Sequence, residues 1–345
     1  MDEPIVLRAL GWDHPRCRGP MEACAASYQR ARAVWEYRSL ESFGDQPLAE
    51  RADSYDLVVI DHPHIGEAVD AGCLRPLDVA DPGGVGASHS SYAYAGRQWA
   101  LAVDAACQVA AWHPALTEPP ADWEEVLALA GDRPGRVALP LHPAHALCSL
   151  ATLCAQAGAP LQPPLDLAAI EAALAQLAGL AALAPAEAFD WEPPAALEWL
   201  ARGDGDYVPL AFGFVSYAGE VHFGPPPGGP GAILGGAGLA VTAASLNPLD
   251  AQDFALWCAS DSVQIEIVAA AGGQPASRAA WYDDAVDAAA HGYYSGTRPA
   301  IEGAWTRPRD AWWPPFQRDG GRVVHQGLRA RRPPREIAAE LARLL

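Results

Sequence analysis

Lysine is absent from this chain, and all 23 of its basic residues are arginine, set against 42 acidic ones. With a formal charge of -19, no basic face is available for a nucleic acid backbone. The one arginine-rich stretch, Arg329, Arg331, Arg332 and Arg335, reads as the solvated start of a short amphipathic helix carrying Ile337, Leu341 and Leu344. Anionic membrane surfaces are disfavoured for the same reason. No apolar run reaches the length of a bilayer span, so no membrane insertion is expected. The first residues are acidic and Arg8 breaks the apolar run behind them, which does not fit a secretory leader. The seven cysteines (17, 24, 73, 107, 148, 154 and 258) are odd in number and contain no Cys-x-x-Cys. They suggest neither a disulfide framework nor a structural zinc site. This usage and the missing leader predict a cytoplasmic protein, or a periplasmic one if the chain is a trimmed mature form. The excess of Ala, Pro, Gly and Arg reads as coding bias. Gly-x-Ser-x-Gly and Walker-type loops are absent, and Pro interleaves the Gly-rich stretch 224–236, removing donors that a phosphate cradle needs. No cofactor is expected.

What is present is an alternation of apolar strands and helices, which predicts an α/β fold with largely parallel sheets. Strands are expected at Ile5–Leu10, Ala33–Tyr37, Leu57–Ile60, Gln98–Val103, Gln108–Trp112, Val137–Leu141, Tyr207–Leu210, Val221–Phe223 and Gly238–Thr242. Helices are expected near Pro20–Arg32, after Tyr37, and at Glu67–Ala71, Trp123–Ala130, His145–Ala157, Leu167–Leu183, Pro194–Arg202, Pro248–Ser260, Ser262–Ala271 and from about Ala276. Asp122 is the expected cap of the helix at Trp123. The tail from Tyr293 is rich in Pro and Trp and ends in a helix.

Two near-identical tetrapeptides follow strands: Trp12-Asp13-His14-Pro15 and Ile60-Asp61-His62-Pro63. Both read as loops at strand carboxyl ends, where open α/β sheets bind ligands, with Pro ending the strand. The plain alternative is that Asp-His-Pro is a good turn former. Trp12, Asp13, His14, Asp61, His62 and His64 would line a binding site. Arg38 could bind a carboxylate or phosphate by its two-pronged guanidinium, or form a salt bridge to Glu41 or Asp45. Asp104 ends the strand Gln98–Val103 and could bond a hydroxyl or amine. Phe212 and Tyr217 suit a lining segment, Gly236 a close backbone approach, and Gln274 and Arg278 a turn at a helix start that could receive an anion. A metal held by His14, His62 and His64 with an Asp would be a weak motif, and no metal is expected. His142, His145 and Cys148 read as cap and core.

The order of elements resembles the extracellular solute-binding proteins of carbohydrate-type ABC transporters. The resemblance rests on Tyr55-Asp56-Leu57-Val58-Val59-Ile60-Asp61, Gly72-Cys73-Leu74-Arg75-Pro76-Leu77-Asp78, Ala121-Asp122-Trp123-Glu124-Glu125-Val126-Leu127, Gly235 to Val241, and Pro248 to Gln264 closing on Gly272-Gly273-Gln274-Pro275. It spans roughly residues 5–285. It implies a periplasmic-binding-protein-like fold: two mixed, mostly parallel sheets with helices on both faces, and a ligand cleft at the hinge. One lobe would hold 1–107 and 237–290, the other 108–236 and 291–345.

The resemblance implies a monomeric solute-binding protein that captures a small polar molecule, sugar-like or a small acid, for an ABC permease. Two other readings stand beside it. One is a cytoplasmic enzyme on the same fold, acting on a small acid or thioester, with His14 and His62 as acid/base groups poised by Asp13 and Asp61. The other is a cytoplasmic metabolite sensor.

Overall fold

The computed structural model describes residues 5–39, 48 and 51–345. The helix expected just after Tyr37, and the expected partners Glu41 and Asp45, lie outside the described residues. Along the chain run β1 (Val6–Trp12), α1 (Pro15–Ser27), β2 (Arg32–Arg38), β3 (Leu57–Ile60), α2 (Ile65–Asp70), the two-residue strands β4 (Ala93–Tyr94) and β5 (Arg97–Gln98), and β6 (Ala100–Trp112). Next come α3 (Trp123–Asp132), α4 (Pro143–Gln156), α5 (Leu167–Leu183), α6 (Pro193–Ala201), β7 (Tyr207–Phe212), β8 (His222–Gly224) and β9 (Leu234–Val241). The remainder is helical: α7 (Pro248–Cys258), α8 (Asp261–Val263), α9 (Arg278–Trp281), α10 (Asp284–Ala289), α11 (Tyr293–Glu302), α12 (Trp313–Arg329) and α13 (Pro334–Leu341).

The chain divides into two compact units. The first holds 1–106, 235–289 and 307–314; the second holds 107–234, 290–306 and 315–345. The sequence assigns the whole tail from 291 to one lobe, yet 307–314 belongs to the first unit. A side-chain pair explains why, since Arg307 donates to Asp61 at 2.7 Å. Close backbone packing holds the same segment, because a Cβ on Gly66 would overlap the carbonyl oxygen of Arg309.

In the first unit the strand order is β2-β1-β3-β9-β6. The sheet is mixed: β1 pairs parallel with β2 and β3, while β3 and β9 are antiparallel. All four residues of β3 are buried, as a continuous apolar run predicts for a strand covered on both faces. One face carries a core of Leu7, Ala9, Leu57 and Val59 against Met21 and Cys24 of α1 and Phe254 and Cys258 of α7. Leu10, Val58 and Ile60 are equally buried outside that core.

In the second unit the far half of β6 pairs antiparallel with β7 and β8. The central helix is α5, which packs against α3, α4 and α13. It starts where the sequence predicts because the Asp166 carboxylate accepts the N–H groups of Ala168 and Ala169 at 3.0 Å, satisfying donors that a helix start leaves free. Asp122 caps α3 in the same way, accepting from Glu125 N at 2.9 Å.

Several elements differ from expectation. The two strands predicted on either side of Asp104 are one strand, β6, because the intervening Ala105-Ala106-Cys107 is as buried as its flanks. Val137–Leu141 contributes only a single bridge, Val137 to Tyr207. The helix expected over Ser262–Ala271 is α8 followed by a π-helical stretch, Gln264–Ala269. That wider turn lets the buried Gln264 amide donate to Cys258 O at 2.7 Å and accept from Ala276 N at 2.6 Å. The Pro- and Trp-rich tail ends in a helix as expected and carries two more before it, Tyr293–Glu302 and Trp313–Arg329.

Candidate functional site

Because β1 and β3 run parallel side by side, both tetrapeptides leave the sheet at one edge. Arg38 pairs with Trp12 at the end of β2, and Gly238 pairs with Ile60, which brings the start of β9 to the same edge. Both tetrapeptides do more than end a strand: each opens a helix. His14 is the N-cap of α1, its Nδ1 accepting from Arg16 N at 3.1 Å. Asp61 caps the 3-10 turn His62–His64, its Oδ1 accepting from His62 N at 2.8 Å. Pro15 and Pro63 sit in the first turns, where a missing N–H costs nothing. Helix α1 therefore begins at Pro15, not near Pro20, and it absorbs Pro20 in its interior.

The two Asp-His pairs then diverge. Asp13 is exposed and bound to Arg18 at 2.6 Å, which holds its carboxyl below the usual range. The His14 ring stacks on Trp12, with centroids 5.2 Å apart and planes 20° apart. Burial and the nearby Arg16 lower the His14 pKa to about 4. The Arg16 guanidinium lies 5.8 Å from the Trp12 ring and forks onto Asp104, with Nε to Oδ2 at 2.6 Å. Packed by these two neighbours, Trp12 is 4% exposed and offers little ring for a ligand to stack on.

Asp61 is held on the opposite side of its carboxylate by Arg307, at 2.7 Å. Burial would raise its pKa, but Arg307 and the hydrogen bond from His62 overcome that and push it down. His62 is wholly buried and meets the Tyr92 ring edge-on, with centroids 6.2 Å apart at 90°. Its Nδ1 lies 3.2 Å from Asp61 Oδ1 without hydrogen-bond geometry, and Nε2 has no partner among the described residues. Burial and then Arg307 lower its pKa to about 4.

Two buried ion pairs thus occupy this part of the first unit, Arg16–Asp104 and Asp61–Arg307. They feel one another: burial raises the Asp104 pKa, Arg16 opposes that, and Asp61 adds to it. Tyr92 senses both carboxylates and Arg307. Trp12, Arg16, Asp104 and Gln274 line a crevice with room for about one water molecule.

Other expected residues have structural partners. Gln274 donates to Ala105 O at 2.8 Å and accepts from Ala105 N at 3.0 Å through its own carbonyl, so it ties the turn to β6. Arg38 is buried and donates to Val59 O at 3.4 Å, and burial lowers its pKa to about 10. His64 lies 3.7 Å from Glu67. Arg278 packs over the Tyr282 ring at 4.8 Å and donates to its hydroxyl at 3.1 Å. The helix expected from Ala276 starts at Arg278 and has only four residues. Phe212 and Tyr217 belong to the second unit. Phe212 meets His145 edge-on at 6.1 Å. The Tyr217 hydroxyl bonds Glu198 at 3.1 Å. Among the described residues no three His, Cys, Asp or Glu side chains converge as metal ligands.

Sequence reasoning misses Arg16, Tyr92 and Arg307. Arg16 had a local signal, an arginine two residues past His14 at a helix start. Tyr92 and Arg307 had none, because both arrive from distant segments. The histidines give acid/base catalysis no support: His14 Nδ1 is committed to its helix cap, and His62 is sealed from solvent.

Two measurable consequences arise here. Gly236 has φ +125°, and a Cβ there would stand 2.5 Å from Asp104 O. Gly236→Ala is expected to destabilise the first unit by roughly 2 kcal/mol or more; a urea midpoint unchanged from the parent would refute this. His62 has the second consequence. Unfolded, it titrates near 6.5, and folded near 4, so between these values only the unfolded chain takes up the proton. Stability should therefore decline as pH falls from about 6.5 to 4, by roughly 3 kcal/mol from this residue. Melting curves of the parent and His62→Leu across that range test it, and the variant should show the shallower decline.

The profile of the bacterial extracellular solute-binding proteins matches residues 46–291. The curated proteins give no match. Among solved structures, maltose-bound T. maritima MalE3 superposes with TM-score 0.81 at 14% identity, covering 98% of each chain. A Thermotoga lettingae ABC transporter solute-binding protein bound with alpha-D-tagatose gives 0.81 at 16%, covering 99% of each chain. One from Agrobacterium radiobacter in complex with ribitol gives 0.79 at 19%, covering 99% of this chain and 98% of that one. At these identities the likeness establishes the fold, the α/β solute-binding-protein fold expected from the sequence. The profile also corrects the expected location. The matching proteins are extracellular, not cytoplasmic. Cysteine number misled because all seven thiols are buried, where cysteine serves as a small hydrophobe whatever the compartment.

Proposed function

Because this chain belongs to the bacterial extracellular solute-binding protein family, we propose that it captures a small, uncharged polyhydroxy solute and delivers it to an ABC permease. The solute is of monosaccharide or polyol size, and the protein acts as a monomer without catalysis. The observation that carries this reading is the pair of arginine-held carboxylates, Asp61 just past the end of β3 and Asp104 within β6. An ionised carboxylate has about four acceptor positions. Asp104 spends two on Arg16. Asp61 spends two on Arg307 and His62 N. Each keeps capacity for hydroxyl donors, and each charge is already matched, so the pair recognises hydroxyls without demanding a cation or an anion. The structurally similar proteins bound with tagatose and ribitol agree with this solute class.

Thermal-shift screening followed by calorimetry tests the reading. The panel holds polyols, monosaccharides, maltodextrins, amino acids and small carboxylic acids. A polyol or monosaccharide should raise the melting midpoint at millimolar concentration without being converted. Stabilisation by acids alone, or turnover of any panel member, would overturn it.

A further inference from the structure

Cys24 and Cys258 are both fully buried and belong to the same core of the first unit. One sits on α1, the other is the last residue of α7. The packing of these segments fixes their register. One turn beyond Cys24, Tyr28 meets Phe254 edge-on, with ring centroids 5.1 Å apart at 77°. Phe254 lies one turn before Cys258. The Tyr28 hydroxyl donates to Asp253 at 2.9 Å. Arg30, two residues further on, also reaches Asp253, so the segments run past one another in opposite directions, and stepping one turn back along α1 and one turn on along α7 sets the two buried thiols as neighbours in that core.

A buried thiol pair has a different fate in a reducing and an oxidising compartment. The family to which this chain belongs is extracellular. We propose that Cys24 and Cys258 form a disulfide that joins α1 to α7. The oxidant is a disulfide, from a thiol–disulfide oxidoreductase or a small-molecule disulfide. One cysteine thiolate attacks the oxidant's disulfide, giving a mixed disulfide and releasing one thiol. The second thiolate then attacks the protein sulfur and displaces the other. The two cysteines lose two electrons and two protons, and the oxidant's disulfide becomes two thiols. Burial raises the Cys258 pKa well above its ordinary value, so the folded pair is slow to exchange. The bond forms during folding, before the core closes, and the completed core shields it from later reduction. The inference rests on family membership and core geometry, and it stands whichever solute the protein binds.

The test refolds the full chain from denaturant in a buffer of oxidised and reduced glutathione. Alkylation under denaturing conditions and intact mass then count the thiols. The expected product has five of the seven thiols alkylated and is lighter than the fully reduced chain by two hydrogen atoms. Digestion should yield one linked peptide pair containing Cys24 and Cys258. The oxidised protein should melt roughly 5 °C or more above the reduced one. Cys24→Ala and Cys258→Ala should each leave six free thiols and abolish that difference. Seven free thiols in the refolded parent, or a linkage through any other cysteine, would overturn the proposal. The parent's thiol count decides the matter even if neither variant folds.

Discussion

Arg307→Leu is expected to cost about 3–5 kcal/mol of stability. The Arg307 side chain is 3% exposed and its partner Asp61 15% exposed, so solvent cannot take over the interaction. Without the guanidinium, the Asp61 carboxylate would stand buried with only the His62 N–H to stabilise it. Burial already opposes its charge, so its pKa should rise in the variant. The same change removes one side-chain tie between the 307–314 segment and the rest of the first unit. Urea unfolding followed by tryptophan fluorescence is the suitable measurement, since Trp312 and Trp313 adjoin the anchor. The double variant Asp61→Leu/Arg307→Leu should lose clearly less than the two single losses added together, because it leaves no orphaned charge. A single-variant loss under about 1 kcal/mol would show that the pair is not what holds the segment.

Asp104→Ala is the second large effect, and it acts on two observables. Arg16 and Asp104 are 6% and 9% exposed, so the truncation strands a buried guanidinium. The expected cost is again about 3–5 kcal/mol. Affinity for the solute should fall at least tenfold, because the truncation removes hydroxyl acceptors and frees Arg16 from its place beside Trp12. Asp104→Asn keeps the shape and one acceptor, and should lie between parent and alanine in both measures. Calorimetry at low temperature, where each variant is folded, separates the two effects. Full affinity in folded Asp104→Ala would remove this residue from the site while leaving its structural role intact.

The fold was largely legible because its signals are local. Continuous burial of Leu57–Ile60, the Asp122 cap, and the bounds of α5 all follow from local sequence. Misreadings occurred where a local cue was outvoted. Asp104 looked like a strand end because it is charged, yet Arg16 neutralises it within β6. Pro20 looked like a helix start, yet His14 had already capped the helix at Pro15. The candidate site was legible only in half. Asp13, His14, Asp61, His62 and Asp104 stood out by type and position, whereas the arginines that give them their character did not.

The twin tetrapeptides show where that division lies. By itself the sequence determined that both follow strands, that both strands are buried, and that a parallel α/β arrangement sets both at one edge. It also carried enough order to point to the solute-binding family. Only the tertiary structure decided what each pair became. Asp13 took a partner five residues away, Arg18, and stayed in solvent. Asp61 took Arg307, 246 residues away, and was buried with His62. The short-range pairing is set by helix geometry and can be read from spacing. The long-range one exists only because the chain returns to the first unit, and no local property of Asp-His-Pro encodes that return.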